Sequence, residues 1–122
     1  MLTVTKRFEF AYAHSLPEYS GKCKQLHGHN AILEVEVSGP PIGSSKVYDT
    51  MIVDFGDLKT IVNREVLDVL DHRMLNEIPG LEVPTAESMA LWIWTKLEAV
   101  FGVGLERVRV HETFNSYAEI KR

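Results

Sequence analysis

This chain contains one cysteine, no apolar run long enough to cross a membrane as a helix, and no excess of positive charge. A single cysteine excludes an intrachain disulfide, which fits a reducing cytosol. The formal net charge of −4 argues against a broad nucleic-acid-binding surface. The N-terminus lacks the sustained apolar core of a secretory signal. Together these absences predict a cytoplasmic protein that contacts neither membrane nor nucleic acid.

Low-complexity segments, internal repeats and recognisable linkers are also absent. A chain of 122 residues is long enough for one core and too short for two. Its hydrophobic share of 45% is that of an ordinary globular protein. We therefore expect a single domain over residues 1–122.

Alternation of apolar and polar residues predicts strands near both ends of the chain. The first covers residues 2–14 and the second covers residues 27–37. Gly39 and the prolines that follow it end the second strand. Two further strands are expected over residues 106–114 and about 117–121.

Apolar residues at helical spacing predict two helices between these pairs of strands. Asp54 can cap the first helix, which is expected to end near Asp71-His72. Thr85 can cap the second helix, and Gly102 ends it. This order of elements predicts an α+β fold, in which an antiparallel four-stranded sheet carries both helices on one face.

Most of the chemically reactive side chains lie in the segment Cys23-Lys-Gln-Leu-His27-Gly-His29, with His14 a short distance upstream. His27 and His29 have the parity of the apolar face of their strand, so both imidazoles project to the same side. His14 ends the neighbouring strand on its inward face. A three-histidine set is typical of a catalytic zinc site with an open position, whereas a chance His-x-His pair is the simpler alternative.

Cys23 has three interpretations: a fourth zinc ligand, an inert thiol or a catalytic base. Flanking Lys22 and Lys24 favour the thiolate form, and a position in a loop argues against an inert core residue. A fourth ligand would close the site and make the metal structural. The spacing alone does not decide between ligand and base.

Three more residues can carry chemistry. Asp71 could orient His72 for proton transfer. A histidine near a helix C-terminus is also explained by the helix dipole, and from these two residues alone we favour that explanation. Glu112 is a carboxylate at an apolar-face position of a strand, so it needs an arginine or a ligand with paired N–H donors. His111 has the opposite parity and is predicted to be solvated.

Six ordered blocks of residues resemble the 6-pyruvoyl-tetrahydropterin synthase / 6-carboxy-tetrahydropterin synthase family, over nearly the whole chain. The blocks are Phe10-x-x-Ala13-His14, Cys23-x-x-x-His27-Gly-His29, Ile52-Val-Asp54-Phe55, Leu70-Asp71-His72-x-x-Leu75-Asn76, Pro84-Thr-Ala-Glu87 and His111-Glu112-Thr113. The resemblance implies the tunnelling fold, assembled into ring-shaped homo-oligomers, often hexamers, that form a barrel. It also implies active sites at the subunit interfaces.

The resemblance gives each of seven residues a role. It implies that His14, His27 and His29 are the zinc ligands and that Cys23 is the general base. It also implies that Asp71 and His72 complete a proton relay and that Glu112 anchors the pterin ring.

The spacing of the cysteine block is similar to that of the branch that makes 6-carboxy-5,6,7,8-tetrahydropterin for queuosine-type deazapurines. The implied reaction converts 7,8-dihydroneopterin triphosphate to the carboxypterin, acetaldehyde and triphosphate. The alternative within the family is a 6-pyruvoyl-tetrahydropterin synthase, which eliminates triphosphate without cleaving a C–C bond. Five basic residues are expected to be available for the triphosphate: Lys22, Lys24, Arg73, Arg107 and Arg109.

Two positions depart from the family pattern. Tyr12 stands where a small residue is usual, and Thr50 replaces a common glycine. A larger side chain near the metal could narrow the pocket. Outside the family, the spacing from His27-x-His29 to Glu34 also fits a cupin-like metal oxygenase, but strand parity places that carboxylate on the opposite face. A protein that binds the metal without catalysis is a third alternative.

Overall fold

The computed structural model describes residues 2–17, 20–39 and 51–122, and at Cys23 it describes the main chain alone. The strands are β1 Thr3–His14, β2 His27–Ser38, β3 Arg73–Met74, β4 Leu105–Thr113 and β5 Ser116–Lys121. They form one sheet in the order β3-β1-β2-β4-β5. The helices are α1 Phe55–Val62, α2 Asp68–Leu70 and α3 Ala86–Phe101, and a π-helical segment, Asn63–Leu67, joins α1 to α2.

The four strands predicted from alternation are confirmed. β1 and β2 pair antiparallel over their whole length, from Thr3 opposite Ser38 to His14 opposite His27. β4 pairs antiparallel with β2, and β5 with β4. The predicted α+β class is therefore correct, and one long pair of strands forms the middle of the sheet.

The prediction of four strands is wrong by one, because β3 adds a short parallel strand beside β1. His72 has a φ of 59°, which turns the chain after α2. Its main-chain N–H then donates to the carbonyl oxygen of Ala11, at 2.6 Å. Arg73–Met74 pairs with Tyr12–Ala13 directly after this turn. Two residues are too few to show a periodicity in the sequence.

The predicted helix ends are confirmed. The side chain of Asp54 accepts a hydrogen bond from the main-chain N–H of Asp57, at 3.0 Å, and so caps α1. Thr85 caps α3 in the same way through the N–H of Ser88, at 3.0 Å. Gly102 ends α3 with a φ of 57°, in the left-handed region that glycine adopts without strain.

The hydrophobic core lies between the helices and one face of the sheet. Leu58 and Val62 of α1 and Ile93 and Leu97 of α3 are fully buried. β1 and β2 contribute every second residue to this core, as their alternation predicts, whereas a register shift against β2 interrupts the alternation of β4 between Leu105 and Val108. These buried strand residues are Phe8, Phe10 and Tyr12 of β1, Ala31, Leu33, Val35 and Val37 of β2, and Leu105, Val108 and Val110 of β4.

The opposite face of the sheet carries a network of ion pairs. Arg107 bonds the carboxylate of Glu36 at 2.9 Å, and Arg109 bonds that of Glu119 at 2.8 Å. His111 Nε2 lies 2.9 Å from Glu34 Oε1, and the histidine side chain is only 16% exposed. The prediction that His111 is solvated is therefore wrong, because Glu34 bonds its imidazole and Tyr117, its pairing partner on β5, packs against the ring.

Across the three described segments, none of the helices combines the length and the apolar character needed to span a membrane.

Candidate metal and substrate site

Three histidines meet at one end of the β1–β2 pair, on the face of the sheet that also carries the core. His14 lies directly opposite His27, and His29 lies opposite Tyr12. One ring nitrogen from each histidine lies within 4.8 Å of those of the other two. The ring centroids are 4.6 to 5.1 Å apart. The strand parity predicted from the sequence therefore brings His14, His27 and His29 together.

Hydrogen bonds to the main chain fix the tautomers of two of these rings. His14 Nδ1 lies 2.7 Å from the carbonyl oxygen of Pro84, and His27 Nδ1 lies 2.6 Å from that of Gln25. A carbonyl oxygen can only accept, so both Nδ1 atoms carry the proton. Each Nε2 atom then carries a lone pair and no proton, and the two Nε2 atoms are 3.0 Å apart. Two lone pairs at this distance repel each other unless a cation lies between them.

The third ring shows the same requirement. His29 Nε2 is buried, and within the described part of the chain it has no hydrogen-bond partner. Burial lowers the pKa of His29, and the neighbouring His14 and His27 lower it further, against the opposing charge of Glu112. The imidazole is therefore held neutral, which is the form that binds a metal. These three nitrogens fit a three-histidine zinc site that leaves one coordination position open.

Glu112 lies at the edge of this cluster. Its Oε1 is 3.4 Å from His14 Nε2 and 3.6 Å from His29 Nε2. The hydroxyl of Tyr12 donates to the same oxygen, at 2.8 Å. The sequence predicts an arginine or a ligand with paired N–H donors as the partner of Glu112. The structure has a tyrosine hydroxyl in place of the arginine, and the binding of such a ligand remains a prediction.

Tyr12 is only 3% exposed. Burial, followed by the hydrogen bond and the charge of Glu112, raises the pKa of its hydroxyl well above the usual range, so the hydroxyl remains a donor. Because β2 lies between β1 and β4, the bond from Tyr12 to Glu112 crosses β2. Ala31, two residues beyond His29 on the same face and 1% exposed, is small enough to leave this path open.

A cavity of about 610 Å³ opens beside Glu112, between the start of α3 and β5. Ala86, Ala90, Ala118 and Ile120 give it apolar walls. The carboxylates of Glu87, Glu112 and Glu119 also line it, and a concave space of this size with apolar walls and a few polar groups is typical of a small-molecule site. Sequence reasoning missed these walls because they come from elements that are distant in the chain.

Asp71 and His72 form a pair at the outer edge of β1. Asp71 Oδ1 accepts the main-chain N–H of Ala11 at 2.9 Å and lies 3.0 Å from His72 Nδ1. These bonds, first that from Ala11 and then those from His72, lower the pKa of Asp71 against the effect of burial. The imidazole of His72 is 81% exposed. Among the described residues, no hydrogen bond or ion pair joins this pair to the histidine cluster.

The remaining predicted residues have different outcomes. The main chain of Cys23 lies in a 3₁₀ turn, Lys22–Lys24, shortly before His27, and its side chain lies outside the described residues. Thr50 also lies outside them. Arg107 and Arg109 are engaged in the ion pairs of the opposite face, so the structure does not bring them to this site.

The position of Glu34 tests the cupin-like alternative. Glu34 bonds His111 and lies 3.4 Å from Arg109 on the opposite face of the sheet from the three histidines. The carboxylate needed for a cupin-like ligand set is therefore absent from the cluster, as strand parity predicted.

Comparison with known proteins gives a consistent result. A family model described as 6-pyruvoyl tetrahydropterin synthase matches residues 3–122. A 6-carboxy-5,6,7,8-tetrahydropterin synthase of Synechocystis sp. is 41% identical over 118 residues, which cover 97% of this chain and 92% of the relative. A synthase of the same name from Haemophilus influenzae is 34% identical over an alignment of 139 positions including gaps, which covers 98% of each chain.

The fold has a close match among solved structures. The 6-pyruvoyl tetrahydropterin synthase of Caenorhabditis elegans superimposes with a TM-score of 0.84 at 28% identity, covering 99% of this chain and 95% of that one. The tunnelling fold expected from the sequence blocks is thereby confirmed.

Proposed function

The chain belongs to the 6-pyruvoyl tetrahydropterin synthase family, and on this basis we propose that it is a zinc-dependent 6-carboxy-5,6,7,8-tetrahydropterin synthase. The substrates are 7,8-dihydroneopterin triphosphate and water, and the products are 6-carboxytetrahydropterin, acetaldehyde and triphosphate. The reaction belongs to the biosynthesis of queuosine-type deazapurines. The 6-carboxy branch is supported by the relatives that are 41% and 34% identical and carry that name.

The convergence of three histidine nitrogens as unprotonated ligands is the observation that carries this proposal. His14 and His27 have their Nδ1 protons held by carbonyl oxygens, and His29 Nε2 is buried without a partner in the described segments. These residues would hold zinc, which when bound would supply a Lewis acid for the side-chain oxygens of the substrate and so acidify the adjacent C–H bond.

Glu112 binds the pterin ring in the cavity beside α3. A carboxylate can accept two parallel N–H bonds from the amino-pyrimidine edge of a pterin, in the way it binds a guanidinium group. Oε1 already accepts the Tyr12 hydroxyl and has one further lone pair, while Oε2 has both of its own. The apolar walls of the cavity then pack on the faces of the ring.

Cys23 is the general base that removes the substrate proton, and Asp71 and His72 complete the proton relay. Within the described residues, no hydrogen bond or ion pair links the exposed His72 imidazole to the histidine cluster of its own chain. We therefore assign this pair to a site shared between subunits of a homo-oligomer, a hexamer by resemblance to the family. A shallow depression of about 460 Å³ beside His72 is lined by residues of β1, β2 and β3, among them Ala11, Gly28 and His29, and a neighbouring subunit would cover it in such an oligomer.

Product analysis tests the proposal. The zinc-loaded protein is incubated with 7,8-dihydroneopterin triphosphate, and all products are identified by mass spectrometry and an acetaldehyde assay. Release of acetaldehyde with the carboxypterin supports it. A pyruvoyl product without acetaldehyde would show triphosphate elimination alone, the activity named for the Caenorhabditis elegans structure. Absence of any pterin product would overturn both activities, and protein stripped of zinc is the control.

A further inference from the structure

Tyr12 occupies an unusual position for a core residue, because it joins the histidine cluster to Glu112. Its ring contacts His14 edge-on at a centroid distance of 5.2 Å and His29 at 5.6 Å. Its hydroxyl bonds Glu112 Oε1 at 2.8 Å. A phenylalanine ring would pack equally well at this position, as the ring of Phe10 does two residues earlier on the same face of β1. The hydroxyl is therefore the part of Tyr12 that packing does not explain.

The oxygen that Tyr12 holds is close enough to compete for the metal. Zinc bonds of 2.0–2.2 Å place adjacent ligand atoms of a tetrahedral shell about 3.4 Å apart. Glu112 Oε1 is already 3.4 and 3.6 Å from two of the three ligand nitrogens. It does not belong to the group whose ligand atoms all lie within 4.8 Å of one another, which contains His14, His27 and His29. The carboxylate thus lies beside the ligand shell and outside it.

A fourth protein ligand would change the character of the site. Three histidines leave one coordination position for water or substrate, whereas three histidines and a carboxylate close the shell. A carboxylate attracted to a dication must be held by something else if it is to remain outside. Within the described residues, the hydrogen bond that Glu112 Oε1 accepts from a protein side chain is that from Tyr12.

We propose that Tyr12 is a positioning residue whose hydroxyl keeps the Glu112 carboxylate out of the metal shell and directed toward the substrate cavity. The zinc site stays open because of this bond, and one carboxylate is reserved for ligand recognition. The inference rests on the proposed function for the identity of the substrate. Its effect on metal coordination is independent of any pterin.

The test uses the full-length protein loaded with Co²⁺ in place of zinc. In Tyr12→Phe, the released Glu112 should join the shell. We expect the affinity for Co²⁺ to rise about tenfold, the size of effect that partners of metal ligands commonly have. We also expect the visible Co²⁺ spectrum to change and azide, a probe of the open position, to lose binding. The double variant Tyr12→Phe/Glu112→Gln should regain azide binding.

Two further variants control this experiment. Tyr117→Phe removes a tyrosine hydroxyl from β5, where the ring packs on Arg109 and His111, and should leave the Co²⁺ spectrum unchanged. Glu112→Gln alone should bind Co²⁺ within about threefold of the unmodified protein, because Glu112 is outside the shell. This variant does not depend on the folding of Tyr12→Phe. A loss of metal affinity of tenfold or more in Glu112→Gln would show that Glu112 is already a ligand and would overturn the proposal.

An unchanged spectrum, metal affinity and azide affinity in a folded Tyr12→Phe protein would also overturn it. Turnover of the pterin separates this failure from that of the proposed function. If the Co²⁺ results hold and no pterin product forms, the proposed reaction fails and the role of Tyr12 stands. If the enzyme is active, Tyr12→Phe should lower kcat as well as raise KM, since the released Glu112 both leaves the pterin and closes the open metal position.

Discussion

His14 Nδ1 donates a hydrogen bond to the carbonyl oxygen of Pro84, 2.7 Å away, across 70 residues of sequence. Pro84 directly precedes Thr85, the N-cap of α3. The start of the longest helix and the orientation of one metal ligand are therefore fixed by the same stretch of main chain. Partners of this kind hold the ring of a ligating histidine and its tautomer.

Thr85→Ala should weaken metal binding as well as stability. Loss of the cap from Thr85 to Ser88 costs about 1 kcal/mol and loosens the Pro84 carbonyl. We expect a measurable rise in the Kd for zinc, determined by competition with a chelator. Asp54→Ala removes the equivalent cap of α1 and should lower the melting temperature with an unchanged zinc Kd. Equal zinc Kd values for both variants would contradict the link.

His27→Ala should abolish stoichiometric zinc binding, because it removes one of three converging nitrogens. Zinc content after dialysis, determined by elemental analysis, is the measurement. His111→Ala is the matched control, since this histidine bonds Glu34 on the opposite face of the sheet. Retention of zinc by His27→Ala would show that the ion binds elsewhere.

Cys23→Ala should retain zinc and lose turnover by a factor of about 10² to 10⁴, the contribution of a positioned general base. Zinc content and steady-state kinetics are measured on the same preparation. Loss of zinc together with activity would place the thiol in the metal shell. Normal activity would remove Cys23 from the mechanism.

Complementation between two inactive variants tests the shared site. If Cys23 and His72 act on one substrate from different subunits, mixed oligomers of Cys23→Ala and His72→Ala chains should contain some intact sites. With random assembly, about a quarter of the sites are intact. The two chains are co-expressed with different tags and the mixed species is purified. No recovery of activity in mixed oligomers would mean that both residues serve the same site from one chain.

The ion-pair network of the opposite face should make stability depend on acid pH. Burial raises the pKa of Glu34, but the hydrogen bond to His111 and the charges of Arg107, Arg109 and Arg7 outweigh it and lower the pKa below 4.5. The folded state thus prefers the carboxylate. The stabilisation is complete above the unfolded-state pKa and is lost as the pH falls through the lower folded-state pKa.

Glu34→Gln should therefore lower the free energy of unfolding at pH 7 by about 1–3 kcal/mol and reduce its dependence on pH below 4.5. Urea unfolding at pH 7 and at successively lower pH provides the measurement. Glu9→Gln, an exposed carboxylate on β1, is the control and should change stability by less than about 0.5 kcal/mol. An unaltered pH profile in Glu34→Gln would contradict this assignment.

Much of the fold could be predicted from local patterns. Alternation located four strands, and capping residues such as Asp54 and Thr85 located the helix starts. Strand parity also placed His27 and His29 on one face, because a side-chain period of two does not depend on the partner strand. These features are encoded by neighbouring residues.

Features that depend on pairing between distant strands could not be predicted. The bond between Tyr12 and Glu112 spans 100 residues and requires the register of β1 on β2 and of β2 on β4. The partner of His111 depends on the same register. The relation of His72 to the histidine cluster depends on how the chain turns after α2, at a positive φ that the sequence did not indicate.

The small size of Ala31 has a consequence for how this protein can change in evolution. A bulky residue at position 31 would fill the path that the Tyr12 hydroxyl takes across β2, and a small residue at position 12 would leave that path without a use. Substitutions at positions 12 and 31 should therefore occur together among relatives. A relative with a small residue in place of Tyr12 can accept a larger one in place of Ala31, whereas a relative that keeps the tyrosine should keep the alanine.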